Sequence, residues 1–294
     1  MKIAIIGSTG QLGTDLVKAL SAKHEVISLT HQDLEVTDYN SCLILRKDRP
    51  DIIVNTAAFH KTDQCEDEPL RAFSVNAVGA RNIATVSTEI KATATFISTD
   101  YVFDGSKKEP YSEEDAPNPL NTYGISKLAG ELFTKQSPKH YVVRVSSLFG
   151  VAGASGKGGN FVETMITKAK KNELLSVVND TWMTPTYTKD VARIMQEIIE
   201  KRLPFGVYHG SNRGPCTWFQ FAQEIMRLTG LNPTMKPIET SQQQTKARRP
   251  TFSALRSTKL PTYGIQTREW KEALADYLIE KGHLNRSNLT EEMC

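Results

Sequence analysis

KIAIIGSTGQLGTDLVKAL, residues 2–20, places an unbroken apolar run ahead of a glycine and then a segment whose leucines recur at helical intervals. A short apolar run ended by glycine reads as a strand buried on both faces, and the leucine spacing predicts an amphipathic helix. Between them lies G-S-T-G-Q-L-G, with Gly7, Gly10 and Gly13. Glycine lets the backbone turn sharply and approach a pyrophosphate, and the helix N-terminus behind it supplies free N–H groups and partial positive charge. The spacing departs from the G-x-G-x-x-G of ordinary dinucleotide folds. Its position on the first strand still predicts a dinucleotide loop at Gly7, Gly10 and Gly13. A turn merely punctuated by glycine has no need of three at even spacing.

The same alternation continues outward. EVISL, DIIVN, ATFIST and YVVRVSSLFG read as further strands. DYNSCLILRKDR, a span from about Leu70 to Ile90, and YGISKLAGELFTK read as helices between them, the last with Leu128, Leu132 and Phe133 on its apolar side. Strand and helix in turn predict an α/β chain with a parallel sheet. After Gly150 the texture changes. GVAGASGKGGN, residues 150–160, reads as a flexible loop. Beyond it come helices at NFVETMITKAKKNE, KDVARIMQEIIEK, TWFQFAQEIMRLTG (capped by Thr217 and closed by Gly230) and TREWKEALADYLIEKG, and strands at LLSVV and GVYHGS. The expected division is a dinucleotide domain over 1–150, a smaller lobe over 151–282 interleaved with it, and a frayed polar tail over 283–294.

Composition narrows the class. In 294 residues the net charge is +3, too balanced for a nucleic-acid partner. No apolar run approaches the ~18 residues of a membrane helix, and MKIAIIG is too short for a signal peptide. Cys42, Cys65, Cys216 and Cys294 form no C-x-x-C pair and the six histidines are dispersed. Reduced thiols, a cytoplasmic location and no metal site are expected.

The chemistry gathers around FISTDYVFDG and NTYGISK. A hydroxyl at the end of the fourth strand sits at the edge where open α/β sheets bind ligands. Tyr123 and Lys127 lie one helical turn apart. Thr99, Tyr123 and Lys127 form a coherent set for carbonyl reduction: Thr99 hydrogen-bonds the carbonyl oxygen, Tyr123 protonates it as hydride reaches carbon, and Lys127 holds the nicotinamide ribose and steadies the phenolate. Bringing a phenol from a pKa near 10 to neutrality needs roughly 4 kcal/mol. One positive charge at ~4 Å, at an effective dielectric of ~20, supplies about that much. The cofactor is NADPH or NADH. Thr30 and His31 at the end of the second strand carry neither the acid of an NAD site nor the arginine of an NADP site, while Glu35 and Val36 could meet the adenine edge.

At this point the chain resembles the extended short-chain dehydrogenase/reductases and, within them, the dTDP-4-dehydrorhamnose reductase family. GSTGQLG, RPDIIVNTAA, STDYVFDG, PLNTYGISKLAGE, GGNFVETM, VVNDTWMTPTYTKDVA and ARRPTFSAL match its segments in order. The resemblance implies a Rossmann-type doubly wound sheet with a smaller C-terminal substrate lobe, and reduction of a nucleotide-linked 4-keto-6-deoxy sugar at C4. It places Thr99, Tyr123 and Lys127 in the catalytic set, the last two also against the cofactor, and puts Gly7, Thr9, Gly10, Gln11, Leu12, Gly13, Ala57 and Ala58 on the cofactor wall. Asp100 and Tyr101 fall near the sugar and Asn160 near the nucleotide lobe. Arg249 is a diphosphate or substrate contact or, equally, part of a solvated basic loop. A second copy of the chain, as a homodimer, is left open.

Two departures touch the substrate side. Ser147 stands where the family carries a pocket tryptophan, a gap that Phe149 or Trp182 could fill, and His60 and Lys61 replace smaller neutral residues. Two other readings compete. A non-catalytic regulator resembling the β subunit of methionine adenosyltransferase would bind NADP without turnover. A nucleotide-sugar epimerase would keep NAD tightly bound and want an acid after the second strand.

Overall fold

The computed structural model describes residues 1–153 and 159–285. Its first half runs β1 (Lys2–Ile6), α1 (Gln11–Leu20), β2 (Glu25–Leu29), α2 (Tyr39–Cys42), α3 (Ile44–Asp48), β3 (Ile52–Asn55), α4 (Thr62–Asp67), α5 (Pro69–Phe73), α6 (Gly79–Glu89), β4 (Thr93–Thr99), α7 (Thr122–Thr134) and β5 (His140–Val145). With the strand Gly206–His209 these strands form one sheet in the order Gly206–His209, β5, β4, β3, β1, β2, every pair parallel. Parallel neighbours require crossovers, and the helices supply them. The chain leaves β1 for β2 on one side and returns to β3 on the other, so a crevice opens over the carboxyl ends of β1 and β3.

The strands are buried on both faces because helices cover both. Ile3 and Ile5 join Leu16, Val143 and Ile194 in one core, while Ala4 and Ile6 join Leu45, Ile53 and Ile83 in the other. The second half adds α8 (Phe161–Lys170), α9 (Thr188–Glu200), α10 (Trp218–Thr229) and α11 (Trp270–Glu280). α9 returns to the first core through Ile194 and Ile198. The other three enclose a separate core of Phe149, Val162, Phe221 and Tyr277. Thr217 and Gln220 form a reciprocal capping box on α10, and Gly230 closes it in the left-handed conformation, as the sequence predicts. Of the expected glycine-rich loop, residues 154–158 lie outside the described residues, as do 286–294 of the tail. The start of that tail is held, contrary to expectation: His283 pairs with Glu163 at 3.1 Å and Leu284 is buried. Among the described residues no helix is long and apolar enough to cross a membrane, and no three acidic, histidine or cysteine side chains converge as metal ligands.

Two helices differ from expectation. The span expected as one regular helix from Leu70 is α5, a π-helical turn over Ser74–Val78, and then α6. The turn fixes Asn76, wholly buried, whose amide donates to Phe59 O and Ser126 Oγ (both 3.0 Å) and accepts from Phe59 N at 2.9 Å. Helix α7 does not bury its leucines as a unit. Leu132 is 57% exposed, and the inward face is Gly124, Ser126, Lys127, Gly130, Glu131 and Thr134. A wheel that weighs hydrophobicity misses this because the inward face meets hydrogen-bonding partners on β4, β5 and the π turn. It also meets them closely: a Cβ on Gly130 would lie 2.3 Å from Asn76 O and 2.6 Å from the Phe96 ring.

Gly130→Ala should therefore lower the unfolding free energy by about 1–3 kcal/mol, read from urea denaturation. Leu132→Ala on the outer face of the same helix should stay within about 0.5 kcal/mol of the unmodified chain.

Candidate active site

The glycine loop lies at the carboxyl end of β1, where α1 begins. Gly10 caps that helix with no side-chain hydrogen bond, so the first-turn N–H groups keep no partner from a cap. A Cβ on Gly13 would stand 2.1 Å from Gly7 O, so only glycine lets the turn close this tightly. Around it, Gln11 donates to Leu148 O at 3.1 Å and leaves its Oε1 buried without a partner. At the end of β3, Asn55 accepts from Ala57 N at 3.0 Å and leaves its Nδ2 buried without one. Unfilled polar atoms beside half-buried Ala57 and Ala58, over an uncapped helix end, suit the phosphates and amide of a dinucleotide. Thr9 is exposed and Leu12 buried beneath the loop. Glu35 binds Thr37 N and Oγ1 and pairs with His31 at 3.1 Å. Val36 is turned into the core, 4% exposed.

One residue here escaped sequence reasoning. Asp33 folds back onto the end of β2, accepting from Thr30 N at 2.8 Å and Thr30 Oγ1 at 2.7 Å. These bonds hold its carboxyl below the usual range. The strand end does carry an acid, about twenty residues after the glycine loop, where an NAD-type ribose contact would stand. Only the turn's geometry reveals it.

At the end of β4 the three expected catalytic residues meet. Asn121 caps α7 by accepting from Gly124 N at 2.8 Å, and one turn of the helix then separates half-buried Tyr123 from buried Lys127. Thr99 is buried, and its hydroxyl pulls the pKa of the nearby Tyr123 phenol down. Lys127 is 2% exposed; its Nζ donates to Ile97 O at 2.5 Å and lies 4.0 Å above the Phe96 ring. Burial lowers its pKa to about 7, against the opposing pull of Glu131 one turn on. The same burial pushes the Tyr123 phenol above its ordinary value, Thr99 pulling it down and Asp100 raising it further. This corrects the expected balance. The ammonium is directed at a backbone carbonyl and a ring, and desolvation of the phenolate outweighs its attraction. Tyr123 is thus held as a protonated donor.

The substrate-side residues divide. Asp100 is buried, its Oδ1 accepting from Thr99 Oγ1 at 3.0 Å and its Oδ2 from Ser146 Oγ at 2.9 Å and Ser253 Oγ at 2.5 Å. Tyr101 is half-buried and meets Tyr123 edge-on at 6.1 Å. Arg249 reaches the same neighbourhood, held by Asp63 at 2.9 Å with its Nε unpartnered. Asn160 caps α8 and donates to Gly150 O and the Tyr277 hydroxyl, so its amide is committed to the protein. Ser147 holds φ 44°, a left-handed backbone rare for a residue with a Cβ. Phe149 cannot replace the missing tryptophan: it is stacked on Tyr187 inside the second core. Trp182 is half-buried and stacked on Phe252. His60 is half-buried and Lys61 exposed at the start of α4. The hydroxyls of Ser146 and Ser253 were missed, because nothing in the sequence joins positions so far apart.

The chain's likeness to known proteins can be set beside this geometry. The family model described as the RmlD substrate binding domain matches residues 1–282. The chain is 40% identical to the spore coat polysaccharide biosynthesis protein SpsK of Bacillus subtilis, over 95% of this chain and 98% of that one. It is 35% identical to the dTDP-4-dehydrorhamnose reductase of Aggregatibacter actinomycetemcomitans, over 93% and 97%. The crystal structure of dTDP-4-dehydrorhamnose reductase from Bacillus anthracis in complex with NADP superposes with a TM-score of 0.89 at 37% identity, covering 95% of this chain and 99% of that one. With the crevice, the cluster of Thr99, Tyr123 and Lys127 and these likenesses in agreement, the chain belongs to the dTDP-4-dehydrorhamnose reductase family of the extended short-chain dehydrogenase/reductases.

Proposed function

We propose that this protein uses NADPH or NADH to reduce the C4 ketone of a nucleotide-linked 4-keto-6-deoxy sugar, dTDP-4-dehydrorhamnose, giving dTDP-L-rhamnose. The observation that carries the reading is the gathering of buried Thr99, half-buried Tyr123 and buried Lys127 beside the β1–β3 crevice. A regulatory subunit has no need to keep a protonated phenol, a hydroxyl and a buried ammonium together at that edge.

The glycine loop with Gln11, Asn55, Ala57 and Ala58 would hold the dinucleotide, and Tyr123 and Lys127 would flank its nicotinamide ribose. When bound, the reduced nicotinamide supplies hydride to the ketone carbon. The chain's own residues manage the oxygen. Tyr123, kept protonated by burial, gives its proton to that oxygen. Thr99 offers a second donor, and Lys127 supplies positive charge where the phenolate forms. The sugar's identity depends on residues around Ser147, where the family's aromatic platform is absent. A dTDP-4-keto-6-deoxy-D-glucose reductase of Streptomyces niveus, 33% identical, makes another 4-keto-6-deoxy sugar the second reading.

Incubation with dTDP-4-dehydrorhamnose and either reduced cofactor, followed by product analysis, tests the assignment; cofactor binding with no turnover on any keto sugar would reject it in favour of the regulator. Tyr123→Phe should lower kcat by about 10²–10⁴-fold, while the NADPH dissociation constant followed by fluorescence changes little. Asp33→Asn should shift cofactor preference several-fold toward NADPH, since it removes an anion that would repel the 2′-phosphate; parallel kcat/KM measurements with the two cofactors would show it.

A further inference from the structure

Asn121, 3% exposed, serves two partners with one side chain. Its Oδ1 accepts from Gly124 N at 2.8 Å and starts α7, a task that aspartate performs equally well. Its Nδ2 donates to Arg248 O at 2.8 Å, across 127 positions of sequence. Aspartate has the same shape but no proton to give to a carbonyl. The cap therefore does not account for the amide; the bond to Arg248 does.

The segment that receives this bond lies as a strap along α7 and α4. Lys246 and Arg248 are exposed, Ala247 is buried and Arg249 is half-buried. Its other attachments are to α4: Ala247 N donates to Asp63 Oδ1 at 3.1 Å, Arg249 donates to Asp63 Oδ2 at 2.9 Å, and Lys246 meets Asp67 at 2.5 Å. Helix α4 in turn holds α7, since Glu66 accepts from Thr122 N and Thr122 Oγ1 at 2.8 Å each. The contacts close a ring that runs from α7 to the strap, from the strap to α4, and from α4 back to α7. Tyr123 stands on the turn of α7 that the ring grips. The same turn is seated on Tyr101, because a Cβ on Gly124 would lie 2.2 Å from Tyr101 O.

What the ring presents is a donor. Tyr101 meets Tyr123 edge-on, and the charges of Arg249 and Asp63 both act on its phenol. Arg249 Nε is buried without a hydrogen-bond partner, and such an atom calls for one. An N–H left over beside Tyr101 suits an acceptor oxygen of a nucleotide sugar, on the sugar or on its phosphates. Resting on the reductase reading, we propose that Asn121 is a positioning residue: its amide holds the 246–249 strap against α7, and through the strap it sets Arg249 beside Tyr101 to receive the nucleotide sugar. No proton or hydride passes through Asn121, so its effect falls on substrate binding and leaves the chemistry in place.

Asn121→Asp keeps the cap and loses the bond to Arg248 O. It should raise KM for dTDP-4-dehydrorhamnose about tenfold, the size of one amide–carbonyl hydrogen bond, with kcat and the NADPH dissociation constant within about twofold. Asp63→Ala opens the ring on its far side, away from the cap. It should raise KM by a similar factor, and it carries the test if Asn121→Asp does not fold. Because either change opens the same ring, the double variant should have a KM no more than about twice that of the worse single variant. Trypsin provides a reading that needs no substrate. Cutting after Lys246 or Arg248 requires the backbone there to leave its seat, so both single variants should be cut at those bonds several-fold faster than the unmodified chain, followed by mass spectrometry. An unchanged KM, an unchanged rate of cutting, effects that multiply in the double variant, or a loss confined to kcat would each overturn the proposal. If the unmodified protein reduces no keto sugar, the reductase reading alone falls, and the rates of cutting still decide whether Asn121 and Asp63 hold the strap.

Discussion

Two opposite charges on one face of α7 are taken out of water, and the arrangement of the site follows from how each is answered. Glu131 is wholly buried, bound by Arg144 through Nε and NH2 at 2.8 Å each and by Ser98 Oγ at 2.6 Å. Lys127, one turn earlier, has only Ile97 O and the Phe96 ring. A buried pair with full hydrogen bonding contributes little net stability but is costly to break. It acts as a register pin: α7 can lie on β4 and β5 in one position only, and that position sets Tyr123 beside Thr99. The imperfect answer given to Lys127 leaves its charge easily altered.

Much of this was legible in the chain itself. The glycine loop, the alternation of strand and helix and the Thr217–Gly230 helix limits depend on local chemistry, and local chemistry is what a sequence displays. The meeting of Thr99, Tyr123 and Lys127 was legible because a strand end and one helical turn are enough to place it. What escaped reading depends on the third dimension. The inward face of α7 is polar, so a hydrophobicity pattern pointed to Leu132, which faces out. Asp33 meets the end of β2 only because its turn doubles back on Thr30. The acidity of Tyr123 follows from desolvation, which no spacing displays, and a single-charge argument therefore gave the wrong sign.

The second core positions the site from the far side. α9 belongs to the first core and the strand Gly206–His209 to its sheet, whereas α8, α10 and α11 gather around Phe149 and Tyr277. The chain thus crosses between the two bodies several times. Those crossings bring Ser253 to Asp100 at the end of β4 and Arg249 to Asp63 on α4.

The π-helical turn at Ser74–Val78 bears on how this protein can vary in length. Asn76 in that turn holds Ser126, and Ser126 Oγ in turn donates to the Tyr123 carbonyl at 2.8 Å. Each residue of a helix advances the chain by about 1.5 Å and about 100°. Losing one residue between α5 and α6 would swing Asn76 off its partner and loosen the ground on which the tyrosine stands. This wider coil is closed to insertion and deletion, a spacer whose size fixes where Tyr123 stands.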